Sequence, residues 1–477
     1  MSEIEKYDLI IIGGGIAGYS AALKASQALS VAVIEAKKIG GTCLNVGCIP
    51  TKAYRQLIME YKNGNSFFKN DTRLFTREKL ADVFEEKINC SVSGLHDGLM
   101  QALKKNSIDV YQGKAILADD KMVVVKNDSG EEKRLEYQFL LIATGAKPVV
   151  PSVFANEYSN VFTTDKAFVK SNLIPKSIVI VGGGIIGVEF ASFLADFGAT
   201  TIIIEREDHI LKKSFSVEVS QTVTKILRKK GVKIYTDCEV VGIEEEDDET
   251  IVRIQKRTSP IRSDTEEILT DKVLLSIGRE PDLDNQLIQG LSVNVRDGAI
   301  VIDEYLKTSN PKVYAAGDVC GGIQLAYTAE YQGEMAALNV MSSVMGEGKI
   351  HNGKVGMVPS CIYMNPEIAS VGVKETDPDK CFAAKYSLKG NGMAIIENSD
   401  DGYVKLIFDQ HSGELVGAEL VCSHAVEMIS LCKEWIEMRK TANDISNSIF
   451  PHPSLTEAFK EAAILYLKEV GTGEIPS

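Results

Sequence analysis

One arrangement occurs twice in this chain and limits its fold more than any other feature. An apolar strand, a glycine-rich turn and a helix are followed 169 residues later by a second set. In the first copy, Tyr7 to Ile12 reads as a buried strand, Gly13-Gly14-Gly15-Ile16-Ala17-Gly18 as the turn, and the stretch through Ala28 as a helix. The next strand, Val31 to Ile34, ends at Glu35. In the second copy, Ile178 to Val181 is the strand and Gly182-Gly183-Gly184-Ile185-Ile186-Gly187 the turn. Val188 to Phe197 is the helix, and the strand Thr201 to Ile204 ends at Glu205. A G-x-G-x-x-G turn between strand and helix, with an acid about twenty residues on, is a dinucleotide fingerprint. Its first glycine (Gly13, Gly182) makes the tight turn. The second (Gly15, Gly184) lets the backbone approach a pyrophosphate, and the third (Gly18, Gly187) lets the helix pack close to the sheet. Free N–H groups at the positive helix end then hold the phosphates. Two such units imply two dinucleotides, and glycine spacing does not say which copy takes which.

The 477 residues leave room for further domains. Pro148 and Pro151 follow the apolar strand Phe139 to Ala143 and mark a crossing. The strand Lys272 to Ile277 ends at Gly278-Arg279 and marks the return, and Lys312 to Ala316 runs into the turn Gly317-Asp318. From about Asn352 the pattern becomes alternating strands (Tyr403 to Phe408, Leu415 to Val421) followed by two helices. The expected division is 1–147, 148–277, 278–350 returning to the first unit, and 351–477. The expected fold class is α/β, with two Rossmann-like domains and a C-terminal α+β module.

The net charge of −14 argues against non-specific nucleic-acid binding, which needs clustered Lys and Arg. Glu244 to Glu249 and Asp264 to Glu267 read as solvated loop acids. The first apolar run, Leu9 to Ile12, is too short to cross a membrane and is not a signal peptide. Nine cysteines, odd in number and scattered, do not form a secreted disulfide framework, so a reducing, cytoplasmic setting is expected. His96, His209, His351, His411 and His424 make no metal-ligand spacing with them, and Cys238, Cys320 and Cys361 read as buried thiols.

Cys43 and Cys48 differ from the rest through their flanks. Gly40-Gly41-Thr42 precedes them, Asn45 and Gly47 lie between, and Ile49-Pro50-Thr51-Lys52 follows. On a helix beginning near Thr42 the two thiols fall about one turn apart, where a disulfide is strained and reducible. A helix start also lowers the pKa of at least one thiol. That chemistry is thiol–disulfide exchange.

Gly40 to Lys52, GGTCLNVGCIPTK, resembles the redox-disulfide signature of the pyridine-nucleotide disulfide oxidoreductases, the family of glutathione reductase and dihydrolipoamide dehydrogenase. The likeness covers essentially the whole chain, including Ala143-Thr144-Gly145 and Ala316-Gly317-Asp318. It implies that the first fingerprint holds FAD, with Gly13, Gly15 and Gly18 at the pyrophosphate and Glu35 at the adenosine ribose. Gly41, Thr42, Thr144, Gly145 and Gly278 are further cofactor-binding positions, and Asp318 reaches the flavin side. Lys52 lies near the flavin ring and pairs with Glu189, which tunes the flavin potential. The family's C-terminal motif is present as Pro451-His452-Pro453-Ser454-Leu455-Thr456-Glu457. It implies that His452 is the general base for the thiols and that Glu457 orients it. It also implies a homodimer, because this histidine serves the other subunit's site.

Glu205 selects among family members. A carboxylate there bonds the ribose 2′-OH of NAD and repels the 2′-phosphate of NADP. Leu455 to Ala462 and Gly417 to Ile429 resemble dihydrolipoamide dehydrogenases, and Gly471 to Ser477 lacks the cysteine pair of a mercuric reductase. The resemblance implies a relay from a lipoyl group to Cys43, to Cys48 beside the flavin, to FAD, and to NAD⁺ held by Gly182, Gly184, Gly187 and Glu205. The lipoyl group must then come from a partner: a lipoylated acyl-carrier protein or domain of a 2-oxo acid dehydrogenase or glycine cleavage system. Some residues depart from the pattern: Thr51 replaces Ser, Ser454 replaces Thr, Tyr327 replaces His, and Cys422-Ser423 replaces Gly-Pro. Alternatives stay open: an NADH-dependent reductase of another low-molecular-weight disulfide, a flavin- and NADH-binding subunit without catalysis, or an NADH oxidase or diaphorase activity that bypasses the disulfide.

Overall fold

The computed structural model describes residues 4–67, 77–119, 121–246, 249–257, 265–348, 351–374 and 380–470. Its first sheet is built on Glu5–Ile12. Leu9, Ile10, Ile11 and Ile12 are all buried, the unbroken apolar run that a parallel strand covered on both faces requires. Ile10 pairs in parallel with Ala32 on one side and Leu140 on the other. The order runs Asp109–Gln112, Val31–Glu35, Glu5–Ile12, Glu132–Ile142, Met122–Lys126, Lys114–Asp119. Late in the chain, Val313–Ala315 returns to pair with Leu140–Ile142 of this same sheet.

The second sheet repeats the design. Ser177–Val181 lies between Thr200–Ile204 and Lys272–Leu275, with Lys233–Tyr235 and Val161–Thr163 outside, all parallel. The crossing and returning segments lie side by side, Ala146–Pro148 antiparallel to Arg279–Pro281. The C-terminal part is an antiparallel sheet in the order Ser360–Ile362, Glu367–Gly372, Leu415–Cys422, Tyr403–Asp409, Cys381–Ser387. Helices Ala425–Glu437 and Glu457–Val470 share one core with it. The fold is thus mixed α/β, with two parallel Rossmann-like sheets and a C-terminal antiparallel module, as the sequence pattern indicated. Among the described residues, no helix is long and apolar enough to cross a membrane.

Four local expectations are corrected. The first fingerprint helix ends at Ala25 and not Ala28, because Ser30 leaves the helical path to exchange hydrogen bonds with Asp8 at 2.8 and 2.9 Å. The cysteines do not share one helix: Gly41–Asn45 is a short helix, Val46 breaks it at φ −139°, and a new helix starts at Cys48. The acid runs sit largely on strands. Glu244 and Glu267 face solvent in the antiparallel sheet Cys238–Glu246, Glu249–Lys256, Thr265–Thr270, where both pair with Arg253 at 2.6 and 2.8 Å. Asp247, Asp248, Asp264 and the tail 471–477 lie outside the described residues. After the strand Leu415–Cys422 come three helices and not two among the described residues, Thr441 capping the extra one, Ala442–Ser446, in a capping box.

The helix Cys48–Phe67 is shared between parts. Tyr54 from it is fully buried in a core that also holds Ile180 and Phe190 of the second nucleotide unit and Ile362 of the C-terminal sheet. A buried charge cluster ties the last two parts together. Lys405 donates to Glu419 at 2.9 Å and to Glu218, on helix Val217–Lys229, at 2.8 Å, and Glu419 is 0% exposed. Removing one partner leaves a buried charge uncompensated, whereas removing both does not. Lys405→Met should therefore cost about 3–5 kcal/mol. Urea unfolding should show most of that loss recovered in the Lys405→Met, Glu419→Leu double variant. Equal midpoints for the single and double variants would contradict this account.

Candidate active site

The dithiol sits directly on the first fingerprint. Gly40 and Gly41 both adopt left-handed backbone (φ +96° and +59°), and a Cβ on Gly41 would lie 2.7 Å from the Cα of Gly15. Asn45 fixes the loop from inside, its amide donating to the carbonyls of Ile39 at 3.0 Å and Gly41 at 2.9 Å. Gly47 allows the break between helices, since a Cβ there would meet Thr42 O at 2.9 Å. Thr51 then bonds Gly47 O at 2.6 Å and starts the next helix, with Cys48 in its first turn.

The two thiols are hydrogen-bonded to each other. Cys48 is lowered below the ordinary thiol range, first by the bond from Cys43 and, against burial, by the Lys52 ammonium. Cys43 is raised, first by that same bond and then by burial. Of the two thiols, Cys48 is thus the one whose ionised form its surroundings favour. Lys52 meets Glu189 at 3.2 Å and lies 4.2 Å over the ring of Tyr363. Glu189, buried on the second fingerprint helix Ile185–Phe197, also accepts from Tyr363 N at 2.7 Å.

The two fingerprints match atom for atom. Gly13 and Gly182 have φ of +105° and +107°, with no room for a side chain against Ala143 O and Ser276 O. Cβ atoms on Gly18 and Gly187 would collide with Gly13 O and Gly182 O at 1.9 and 2.0 Å. Glu35 accepts from Gly14 N at 2.7 Å and Lys37 N at 2.6 Å, and Glu205 from Gly183 N at 2.6 Å and Glu207 N at 2.8 Å. At the C-terminal end, His452 Nδ1 lies 2.8 Å from Glu457 Oε1, and the other carboxylate oxygen accepts from Ser454 N at 2.8 Å. The bond to His452, then the one from Ser454, holds the Glu457 carboxyl below its usual range. His452 is 80% exposed at its side chain and, among the described residues, bonds neither cysteine of its own chain.

The family model of the pyridine nucleotide-disulphide oxidoreductases matches residues 7–333, and that of the family's dimerisation domain matches residues 358–463. The chain belongs to this family. It is a class I member, a flavin-dependent disulfide oxidoreductase whose family binds FAD and a pyridine nucleotide. A dihydrolipoyl dehydrogenase from Zymomonas mobilis is 33% identical, covering 96% of this chain and 98% of that protein. One from Bacillus subtilis is 34% identical over 96% of this chain and 95% of the relative. Among solved structures, the HOCl-induced flavoprotein disulfide reductase RclA from Escherichia coli has a TM-score of 0.84 at 26% identity, covering 97% of this chain and all of the other. The matched dimerisation domain supports a homodimer.

Both fingerprint turns leave open space at their middle glycine. A Cβ on Gly15 would find its nearest neighbour 3.9 Å away, and one on Gly184 nothing within 4 Å, so each middle glycine faces open space. The half-buried Asp318 carboxylate has no hydrogen-bond partner among the described residues; burial raises its pKa, and Arg279 opposes this. Thr144 donates to Asp282 O at 2.7 Å, and Gly145 and Gly278 (φ +72° and +121°) flank the paired crossing strands. Tyr327 is 42% exposed and bonds Pro359 O, Cys422 is buried, and Ser423 follows it in a turn. Of the three cysteines expected to be buried, Cys238 is buried and Cys320 and Cys361 are half-buried; burial still pushes these two up to about 12.

Sequence reasoning missed two features. Gly14 has no room for a side chain against Ile39 Cδ1, 2.4 Å from an added Cβ; the extra glycine between Gly13 and Gly15 was the signal. Arg279, noticed only as a strand end, bonds Asp165 at 2.6 Å, Ala146 O at 2.7 Å and Thr42 Oγ1 at 3.3 Å, tying the cysteine loop to both crossing segments. The glycine geometry separates folding from binding. Gly184→Ala should fold normally, since φ is −75°, yet raise the KM for the nicotinamide nucleotide at least about tenfold, roughly 1.4 kcal/mol. Gly187→Ala should fail to fold. An unchanged KM in Gly184→Ala, with circular dichroism confirming a native fold, would refute the cradle.

Proposed function

We propose that this enzyme reoxidises protein-bound dihydrolipoamide to lipoamide, with electrons passing through Cys43–Cys48 and FAD to NAD⁺. One observation carries the reading: a polarised dithiol and a carboxylate-oriented imidazole coexist in a chain that matches dihydrolipoyl dehydrogenases from end to end. A subunit that only bound nucleotides would have no use for either.

Gly13, Gly15, Gly18, Gly41 and Thr42 would hold the FAD pyrophosphate side, Glu35 its ribose, and Thr144, Gly145, Gly278 and Asp318 its remaining length. Gly182, Gly184 and Gly187 would hold NAD, with Glu205 on the ribose hydroxyls and Glu189 beside Lys52 between the two cofactors. When bound, FAD supplies two-electron transfer between the dithiol and the nicotinamide, and NAD⁺ accepts the pair as hydride.

The thiol steps belong to the chain's own residues. His452 of one protomer, oriented by Glu457, takes the proton from the first lipoyl thiol. That thiolate attacks Cys43 Sγ of the oxidised pair, the Cys43–Cys48 bond breaks, and Cys48 leaves as thiolate. The second lipoyl thiol then attacks the lipoyl sulfur of the mixed disulfide and closes the lipoamide ring. Cys43 leaves and takes up that thiol's proton. Two electrons now reside in the cysteine pair, with one proton on His452 and one on Cys43. This protonation pattern agrees with the raised Cys43 and the lowered Cys48.

The likeness to RclA, a disulfide reductase, favours a second reading: NADH-dependent reduction of another small disulfide. A panel of dihydrolipoamide with NAD⁺ or NADP⁺, and of glutathione disulfide with NADH, separates the two. Turnover of dihydrolipoamide with NAD⁺ and not NADP⁺ is expected; glutathione disulfide turnover alone would move the enzyme to the second reading. Cys48→Ser should abolish dihydrolipoamide oxidation while FAD stays bound. His452→Gln should lower kcat by about 10²–10⁴-fold, the usual contribution of a general base. Near-normal turnover in either variant would remove that residue from the mechanism.

A further inference from the structure

Arg55 lies two turns into the dithiol helix and is mostly enclosed, its side chain 19% exposed. It meets Glu367 of the C-terminal sheet at 3.0 Å, and Glu367 is itself only 12% exposed. The arginine's Nε is buried with no partner among the described residues. A buried pair with an unsatisfied N–H is poor at stabilising a fold, and apolar side chains of similar volume in place of both partners would do as well. The location gives the pair another use.

The other Glu367 oxygen accepts from Val426 N at 3.2 Å, at the start of helix Ala425–Glu437, where a carboxylate suits the helix dipole. Trp435 on that helix packs edge-on against Phe450 and Phe459, with ring centroids 6.2 and 5.4 Å away. Those two aromatics bracket the segment that carries His452 and Glu457. An unbroken run of packed and bonded groups therefore leads from the dithiol helix to the imidazole's mounting.

We propose that Arg55 and Glu367 are positioning residues that fix the dimerisation module against the dithiol helix. Because a homodimer's interface is self-complementary, this angle sets how each protomer's His452 meets the other's thiols. The pair touches neither substrate nor cofactor. The inference rests on the reading of His452 as the base.

The test uses the FAD-loaded enzyme with Arg55→Met, Glu367→Gln and the charge-swapped double variant Arg55→Glu, Glu367→Arg. NADH–ferricyanide turnover, which needs flavin but neither thiols nor imidazole, should stay within about twofold, while dithiol turnover should fall about 10- to 100-fold from the misplaced base. The KM for NAD⁺ should not change. The pH profile of iodoacetamide alkylation of the reduced enzyme should move toward that of His452→Gln, and the charge swap should move it back. Unchanged dithiol turnover and alkylation in Arg55→Met and Glu367→Gln would overturn the proposal, as would a parallel loss of both activities. Alkylation needs no physiological substrate. If wild type ignores dihydrolipoamide yet its profile responds to His452 and Arg55, the substrate reading fails and this inference stands. If His452→Gln leaves the profile unchanged, the base reading fails and takes the inference with it.

Discussion

Three cations on one helix each meet a carboxylate that belongs to another part of the chain. Lys52 pairs with Glu189, Arg55 with Glu367 and Lys62 with Asp196, at 3.2, 3.0 and 2.6 Å. Their spacing places all three on one face of Cys48–Phe67. The acids are largely buried, so each would be costly without its partner. On the helix's apolar side, Tyr54, Leu57 and Ile58 enter the largest shared core. The helix that begins with Cys48 is thus held by the second nucleotide unit and the C-terminal module. On the proposed reading, Cys48 would face a flavin on one side and exchange with a substrate on the other, and misplacement by about 1 Å can cost 10²-fold in rate.

The duplication shows how little sequence a dinucleotide site needs. In both copies the acid after the second strand uses its two oxygens on two backbone N–H groups, one in the glycine turn and one just beyond the strand. Those bonds hold the carboxylate still and leave lone pairs on each oxygen for hydroxyl donors. A sugar diol can satisfy them, while a phosphate at the same place would bring negative charge against a fixed anion. On the proposed reading, a preference for an unphosphorylated ribose at Glu205 would therefore be a property of the backbone trap as much as of the residue type.

What was legible in the sequence follows from the range of the interactions. The fingerprints could be read because their rules are local: Gly13 and Gly182 need positive φ, and Gly18 and Gly187 need the absence of a Cβ within a few residues of chain. The helix break at Val46-Gly47 could not, because Gly47 is required by the path of Thr42 O and not by any pattern in the sequence. The acid runs were misread because their partners, such as Arg253 for Glu244 and Glu267, lie on neighbouring strands of a sheet with weak alternation. Arg55 and Arg279 were passed over for a similar reason. Their meaning comes from Glu367, Asp165 and Thr42, residues more than a hundred positions away in the chain, and charge at a surface-like spacing carries no sign of that.

The same distinction bears on the base. His452 and Glu457 are five residues apart and form a complete unit within one protomer, bond and orientation included. Yet that unit stands exposed, beside Ile449 at 98% and on a module that also exposes Ile395, Ile396 and Met438. An imidazole open to water gains no specific proton donor, and apolar side chains this exposed are free to be covered by a second copy of the chain. On the proposed reading, one event supplies both needs: pairing of two protomers covers the apolar residues and brings each imidazole to the other's dithiol. A dithiol walled in by its own chain could not admit a lipoyl group on a carrier. On that reading, placing the base on a second protomer would leave a cleft between the two surfaces, with the thiols on one wall and the proton acceptor on the other.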